Sequence, residues 1–268
     1  MTTQALGFDN AFDGAFDNAF DNAFDYAKLI DDPVREDLVL AHRRAWARLA
    51  EPGTWWDGRE RVAIAAEARA AAYCSFCRKR REALSPFSEQ GEHDEVSREI
   101  LPPAAIDAIH RIVTDASRLT SSWIDGLESQ GVPVTHYVEL LSVVVSIRSI
   151  DGFHHAMGCA PEPLPQPRPG EPSRKRPAAA TRDEAWVPML PTGKPSGDEA
   201  DLWSAQTGNV IRAMSLVPDA VRWLNELGSA QYLDADAMMD FTRARGPLSR
   251  AQTELVAGRV SAMNECFY

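Results

Sequence analysis

Seven prolines lie between Pro161 and Pro177, and no helix or strand ladder can run through such a stretch. The run divides the 268-residue chain into two parts. With Arg174-Lys175-Arg176 inside it, segment 161–199 reads as a linker that buries too little apolar surface to fold alone. The basic triplet reads as solvated linker charge. On both sides of the linker the apolar residues recur at helical spacing. Leu38, Val39, His42, Trp46 and Leu49 form one such stripe, and Pro52-Gly53 ends it. Asp57 is placed as an N-cap for an Ala-rich run that continues to Leu84, where Ser85-Pro86 stops it. Residues 86–99 are polar and loop-like.

Pro103 opens the next helix, with Ile106, Ile109, Val113 and Ala116 on its buried side. Gly131-Val-Pro133 is a turn, after which Thr135 caps a helix reaching about Met157, with Gly158 as its stop. Past the linker, Val210, Met214 and Leu216 lead to Pro218, then Val221, Leu224 and Leu227 follow. A last helix runs from about Ser249 through Met263. No segment reads as a strand, so the expected class is all-α in two parts.

The N-terminus repeats a tetrapeptide five times over residues 8–27, with Phe at 8, 12, 16, 20 and 24. Four residues overshoot a 3.6-residue turn by ~40°, so the Phe stripe spirals rather than forming one face. Residues 1–31 are therefore expected to be a low-complexity, disordered tail. Asp9, Asp13, Asp17, Asp21 and Asp25 of this tail carry much of the formal net charge of −11. No basic face stands out, which argues against a nucleic-acid partner. No apolar run reaches the ~18 residues of a membrane span, and no secretory h-region is present. A cytoplasmic protein is expected.

Of four cysteines, Cys74 and Cys77 form a C-x-x-C whose sulfurs lie one helical turn apart. In a reducing compartment a close pair is more often a redox or metal site than a structural disulfide. Arg78, Lys79, Arg80 and Arg81 follow and would favour the reactive thiolate. Three readings stay open: a redox pair, a structural or vestigial pair, and zinc. Zinc needs about four ligands, and no second C-x-x-C or suitably spaced His pair is evident, so no metal and no cofactor is expected. Glu67 lies two turns before Cys74 and reads as a surface ion-pair residue. His42, His93 and His110 are isolated and read as structural or solvated, and the adjacent His154 and His155 as packing or interface residues. Cys159 has no partner in sequence.

The segment from Gln252 through Glu254, Asn264 and Cys266 to Tyr268 resembles the active-site signature of the AhpD-like alkylhydroperoxidase and carboxymuconolactone decarboxylase-like family. That signature is a Glu, eleven residues, a C-x-x-C, and a His four residues further on. Glu254 and Cys266 have the family spacing. A straight helix would hold them ~18 Å apart, so a break between them is required, and Asn264 is placed to make it. Trp186-Val-Pro188 with Asn209 through Pro218 resembles the family's run-in helices, and His136 through Gly158 its closing helices. The resemblance implies two tandem helical modules, at 32–160 and 200–268, the second truncated.

The residue after Tyr268 would be the family's peroxide-attacking second thiol. Some members carry selenocysteine there, with a codon that ordinary translation reads as a stop. The resemblance thus implies thiol- or selenol-dependent hydroperoxide reduction, impaired in this chain. Glu254 and Cys266 are the implied catalytic residues, and Cys74 and Cys77 an auxiliary redox pair. Its implied partners are a hydroperoxide substrate, an external thiol or lipoyl-type reductant, and further copies of the chain in a homo-oligomer. The first module departs from the signature, with Val62 where the Glu belongs and Arg81 where the His belongs. Two alternatives are a non-catalytic helical module for oligomerisation or small-ligand binding, and a carboxymuconolactone-decarboxylase-type enzyme.

Overall fold

The computed structural model describes residues 23–31, 33–204, 207–234, 237–238, 240–264 and 266. Among them the protein is all-α, with no strands beyond one isolated bridge between Thr181 and Met189. Six α-helices precede the proline run: α1 (Glu36–Ala50), α2 (Gly58–Ala71), α3 (Ser75–Glu82), α4 (Pro103–Asp115), α5 (Ser121–Ser129) and α6 (Val134–Ala156). Among the described residues these helices follow it: α7 (Asn209–Arg212), α8 (Pro218–Gln231) and α9 (Arg250–Met263). None of these is long and apolar enough to cross a membrane.

Local chemistry sets the helix ends. The Asp57 carboxylate accepts from the Glu60 N–H at 2.7 Å, and the Glu60 carboxylate accepts from the Asp57 N–H at 2.8 Å, a reciprocal capping box on α2. Pro103 sits in the first turn of α4, where a missing N–H costs nothing. Ser249 caps α9 through a second capping box with Gln252. Thr135 lies inside α6 rather than capping it, because Pro133 already sets the extended entry to that helix. The Ala-rich run does not continue to Leu84: it stops at Ala71, and a new helix starts at Ser75 with Cys74 as its N-cap.

The core is built where α2 packs on α4 and α6, and α8 closes it against α1 and α6. α6 is hydrophobic nearly all round, with Val138, Leu140, Val143, Val144, Ile147 and Ile150 buried, as expected of a central helix. One apolar cluster takes in residues on both sides of the proline run, including Ile64, Ile109, Leu216, Val221 and Leu227.

Two segments differ from expectation. The proline run is irregular, as a linker would be, yet it is fastened along its length. Trp46 Nε1 donates to the Pro163 carbonyl at 2.8 Å, and the N–H groups of Arg168, Ser173 and Arg174 donate to the carbonyls of Ala50, Gly53 and Thr54. The carbonyls at the end of α1 and in the turn before α2 supply the partners that a free linker lacks. The repeat tail lies mostly outside the described residues. Its last described part, however, is inserted into the protein: Phe24 and Tyr26 are buried. The Tyr26 hydroxyl lies 2.6 Å from His42 Nδ1 and 2.9 Å from His154 Nε2. His154 Nδ1 faces the Ala160 carbonyl at 2.7 Å, so it carries a proton and Nε2 accepts from Tyr26. His42 Nδ1–H then donates to the Tyr26 oxygen, and Gln231 Nε2–H donates to His42 Nε2 at 3.1 Å. The chain of bonds is complete with both imidazoles neutral. His42 is thus a buried network residue, and so is His154, while His155 is exposed.

Candidate functional site: a cysteine–histidine cluster

The interruption between α2 and α3 places Cys74 at the start of a short helix and Cys77 one turn later, both buried. Two backbone N–H groups converge on Cys74 Sγ, from Cys77 at 3.5 Å and from Asp94 at 3.4 Å. The Asp94 carboxylate returns the contact by accepting from the Ser75 N–H at 2.6 Å. That pair ties the polar loop 86–99 to the start of α3 and carries His93 over the two sulfurs. α4 brings His110 up from the other side.

The two imidazoles are placed alike. His110 Nδ1 lies 3.2 Å from Cys77 Sγ, and His110 Nε2 lies 2.8 Å from Glu67 Oε1. His93 Nδ1 lies 3.4 Å from Cys77 Sγ and 3.7 Å from Cys74 Sγ, and His93 Nε2 lies 3.1 Å from Asp107 Oδ1. The rings are 4.0 Å apart, centroid to centroid.

Electrostatics fixes which nitrogen carries each proton. Burial alone would push Glu67 up. Hydrogen bonds from His110, from the Val96 N–H (3.0 Å) and from Ser97 outweigh it and hold the carboxyl below its ordinary value. Burial works the same way on Asp107, and hydrogen bonds from His93, Arg111 and Arg80 hold it well below the carboxylate range. Both carboxylates are therefore anions that only accept. Each takes the Nε2–H of its histidine, which leaves both Nδ1 lone pairs aimed at the sulfurs. Burial pushes the Cys77 thiol up to about 12, with Thr114 and Arg80 pulling the other way and Cys74 adding to the rise. Of the two imidazoles, His110, held by Glu67, is the nearer to Cys77 Sγ. Arg80 is fully buried, donates to Asp107 at 2.7 Å and lies 3.7 Å from Cys77 Sγ. Of the four cations after the pair, it is the one that is buried beside the sulfurs.

Three sequence expectations are corrected here. Glu67 is not a surface ion-pair residue but a fully buried acceptor for His110, because α2 turns that face towards α4. His93 and His110 are not isolated: the loop and α4 bring them to the same two sulfurs. A four-donor set exists after all, in Cys74, Cys77, His93 and His110, whose ligand atoms all lie within 4.8 Å of one another. The sequence carried one usable signal, a Glu and a later His flanking C-x-x-C, but the 33 residues from Cys77 to His110 hid the pairing.

A surface cavity of about 430 Å³ is lined by Cys74 and Cys77 together with Val113, Thr114 and the arginines Arg78, Arg81 and Arg148.

The second expected site is not assembled. Glu254 lies in the first half of α9 and accepts from Arg250 Nε at 2.6 Å and from the Tyr232 hydroxyl at 2.7 Å. α9 does end at Asn264, but the Cys266 N–H turns back to the Ser261 carbonyl at 2.9 Å. The break therefore comes only after ~14 Å of straight helix beyond Glu254. Cys266 is exposed and follows a helix C-terminus. The structure does not bring Glu254 and Cys266 together, and it puts Cys159, half-exposed, near the carbonyls of Leu29 and Met157.

No protein-family model, curated protein or solved structure matches this chain.

Proposed function

We propose that the protein is a dithiol hydroperoxide reductase of the AhpD-like type, with Cys74 and Cys77 as its reacting pair. The observation that carries this reading is the chain Glu67–His110–Cys77, a buried carboxylate, an oriented imidazole and a thiol in hydrogen-bond reach beside an open cavity. His110 Nδ1 takes the Cys77 proton, and the Cys77 thiolate attacks the terminal, hydrogen-bearing oxygen of R–O–O–H. The O–O bond breaks, Cys77 becomes a sulfenic acid, and the proton held on His110 passes to the leaving alkoxide to give ROH. Cys74, its proton drawn by His93, then attacks the Cys77 sulfur. The S–S bond forms, the S–O bond breaks, and the hydroxyl leaves as water.

An external dithiol of the lipoyl type restores the pair and is itself oxidised to a disulfide. A resting dithiol suits a reducing, cytoplasmic compartment. The three arginines at the cavity favour a hydroperoxide that carries a carboxylate.

The test uses the full chain with Cys159→Ser and Cys266→Ser. One equivalent of an organic hydroperoxide should remove two thiols per chain, and dihydrolipoamide should restore them with turnover. Cys74→Ser should stall as a sulfenic acid that dimedone traps, and Cys77→Ser should be inert. If both thiols survive excess hydroperoxide, or if Cys77→Ser turns over like its parent, the reading is wrong.

A further inference from the structure

We propose that the reduced site binds one Zn²⁺ through Cys74 Sγ, Cys77 Sγ, His93 Nδ1 and His110 Nδ1. Four soft or borderline donors converge here from three separate pieces of chain, α3 with its cap, the loop 86–99 and α4. Tetrahedral zinc holds sulfur at ~2.3 Å and nitrogen at ~2.0–2.1 Å, so its ligand atoms lie ~3.3–3.8 Å from one another. The measured separations of 3.7, 3.4 and 3.2 Å between sulfurs and imidazole nitrogens already have that scale. Every remaining pair lies within 4.8 Å, so closing the site takes about an ångström.

The surroundings match a metal centre in a second, independent way. Both histidines direct Nδ1 inward and donate Nε2–H to an ionised carboxylate, Glu67 for His110 and Asp107 for His93. That arrangement fixes the tautomer a metal requires and raises the basicity of the ligand nitrogen. Hydrogen bonds to Cys74 Sγ from the Cys77 and Asp94 N–H groups complement the charge a coordinated thiolate keeps. Two sulfurs and two nitrogens in this shape favour zinc over the oxygen-seeking divalent cations. Binding displaces the two thiol protons to solvent and leaves no thiol for peroxide chemistry. Conversely, a Cys74–Cys77 disulfide removes two of the four ligands.

The inference rests on the donor set alone and does not depend on the peroxide reading. The experiment takes the full chain, stripped with a chelator under reductant, and titrates it with Zn²⁺ against a chromophoric competitor. Co²⁺ is then added in place of zinc. One equivalent should bind, and cobalt should give the intense visible bands of a tetrahedral site with sulfur-to-metal charge transfer. Asp107→Asn, which leaves all four ligands, should weaken zinc by about ten- to hundredfold. His93→Ala and His110→Ala should weaken it at least as much, with helix content followed by circular dichroism. Cys159→Ser with Cys266→Ser should change nothing. Binding no tighter than to the Cys74→Ser/Cys77→Ser double variant, or a cobalt spectrum of octahedral type, overturns the assignment. Zinc binding without peroxide turnover upholds this proposal and sinks the other; turnover without zinc binding does the reverse.

Discussion

Replacing Glu67 by Gln changes one atom and keeps the shape of the side chain, yet it should disable the cluster. The buried Glu67 carboxylate accepts from two N–H groups, His110 Nε2 at 2.8 Å and Val96 at 3.0 Å. A glutamine offers one carbonyl oxygen and one NH₂ group in their place. If the oxygen faces His110, the NH₂ meets the Val96 N–H head-on. A buried donor left without a partner costs about 1–3 kcal/mol. If the oxygen faces Val96, the NH₂ faces His110, which must then move its proton to Nδ1. That proton points at Cys77 Sγ, and the imidazole can no longer act as base or ligand there.

Glu67→Gln should therefore be destabilised by about 1–3 kcal/mol in urea unfolding. It should lose ~10²–10⁴-fold in the rate of Cys77 oxidation by hydroperoxide. Zinc affinity should fall about ten- to hundredfold. Stopped-flow thiol loss, the zinc competition and the denaturation curve together make the test. A Glu67→Gln protein that keeps its parent's oxidation rate and zinc affinity would show that the carboxylate does not set the tautomer, and the derivation above would fail.

Other consequences are as direct. Burial, with His154 beside it, pushes His42 down to about 4 from its ordinary 6.5. Between those two values the unfolded chain binds the extra proton, so this contribution is complete above pH ~6.5 and about 3 kcal/mol is lost as the pH falls to about 4. Denaturation midpoints across that range should show the slope, and His42→Gln should flatten it. Asp57→Ala removes one half of the α2 capping box and should lower stability by about 1 kcal/mol in the same assay. Arg148→Ala should lower kcat/KM for a carboxylate-bearing hydroperoxide more than for a neutral one of similar size; an equal loss for both would remove the arginines from the substrate argument.

Periodicity made the helices legible because a buried stripe leaves its 3.6-residue mark wherever it occurs. The N-cap at Asp57 and the start at Pro103 follow from local chemistry, and both are present. The break at Ala72-Tyr73 was not legible. Ala is the strongest helix former, so propensity argued for continuation, and the interruption is held by a tertiary partner, Asp94 accepting from the Ser75 N–H, beside the local cap that Cys74 Sγ makes with the Cys77 N–H. The anchoring of the proline run was hidden for a like reason. Its hydrogen bonds join groups more than a hundred residues apart, and composition carries no record of them.

The same limit explains why the richer cluster was the harder one to read. A resemblance built on spacing favoured Glu254 and Cys266, because twelve residues along one stretch of chain are easy to count. In Cys74, Cys77, His93 and His110 no such count exists: a loop and a helix deliver the two imidazoles, and each arrives with its own carboxylate. What the three-dimensional arrangement adds is the direction of every proton. Two anions below two rings leave two lone pairs above two sulfurs. The two proposed uses of the site exclude one another, since sulfurs joined to each other cannot hold a metal and sulfurs on a metal cannot attack a peroxide. Under these proposals the thiol poise and the free zinc decide which state forms, so both are quantities to fix in any assay of this chain.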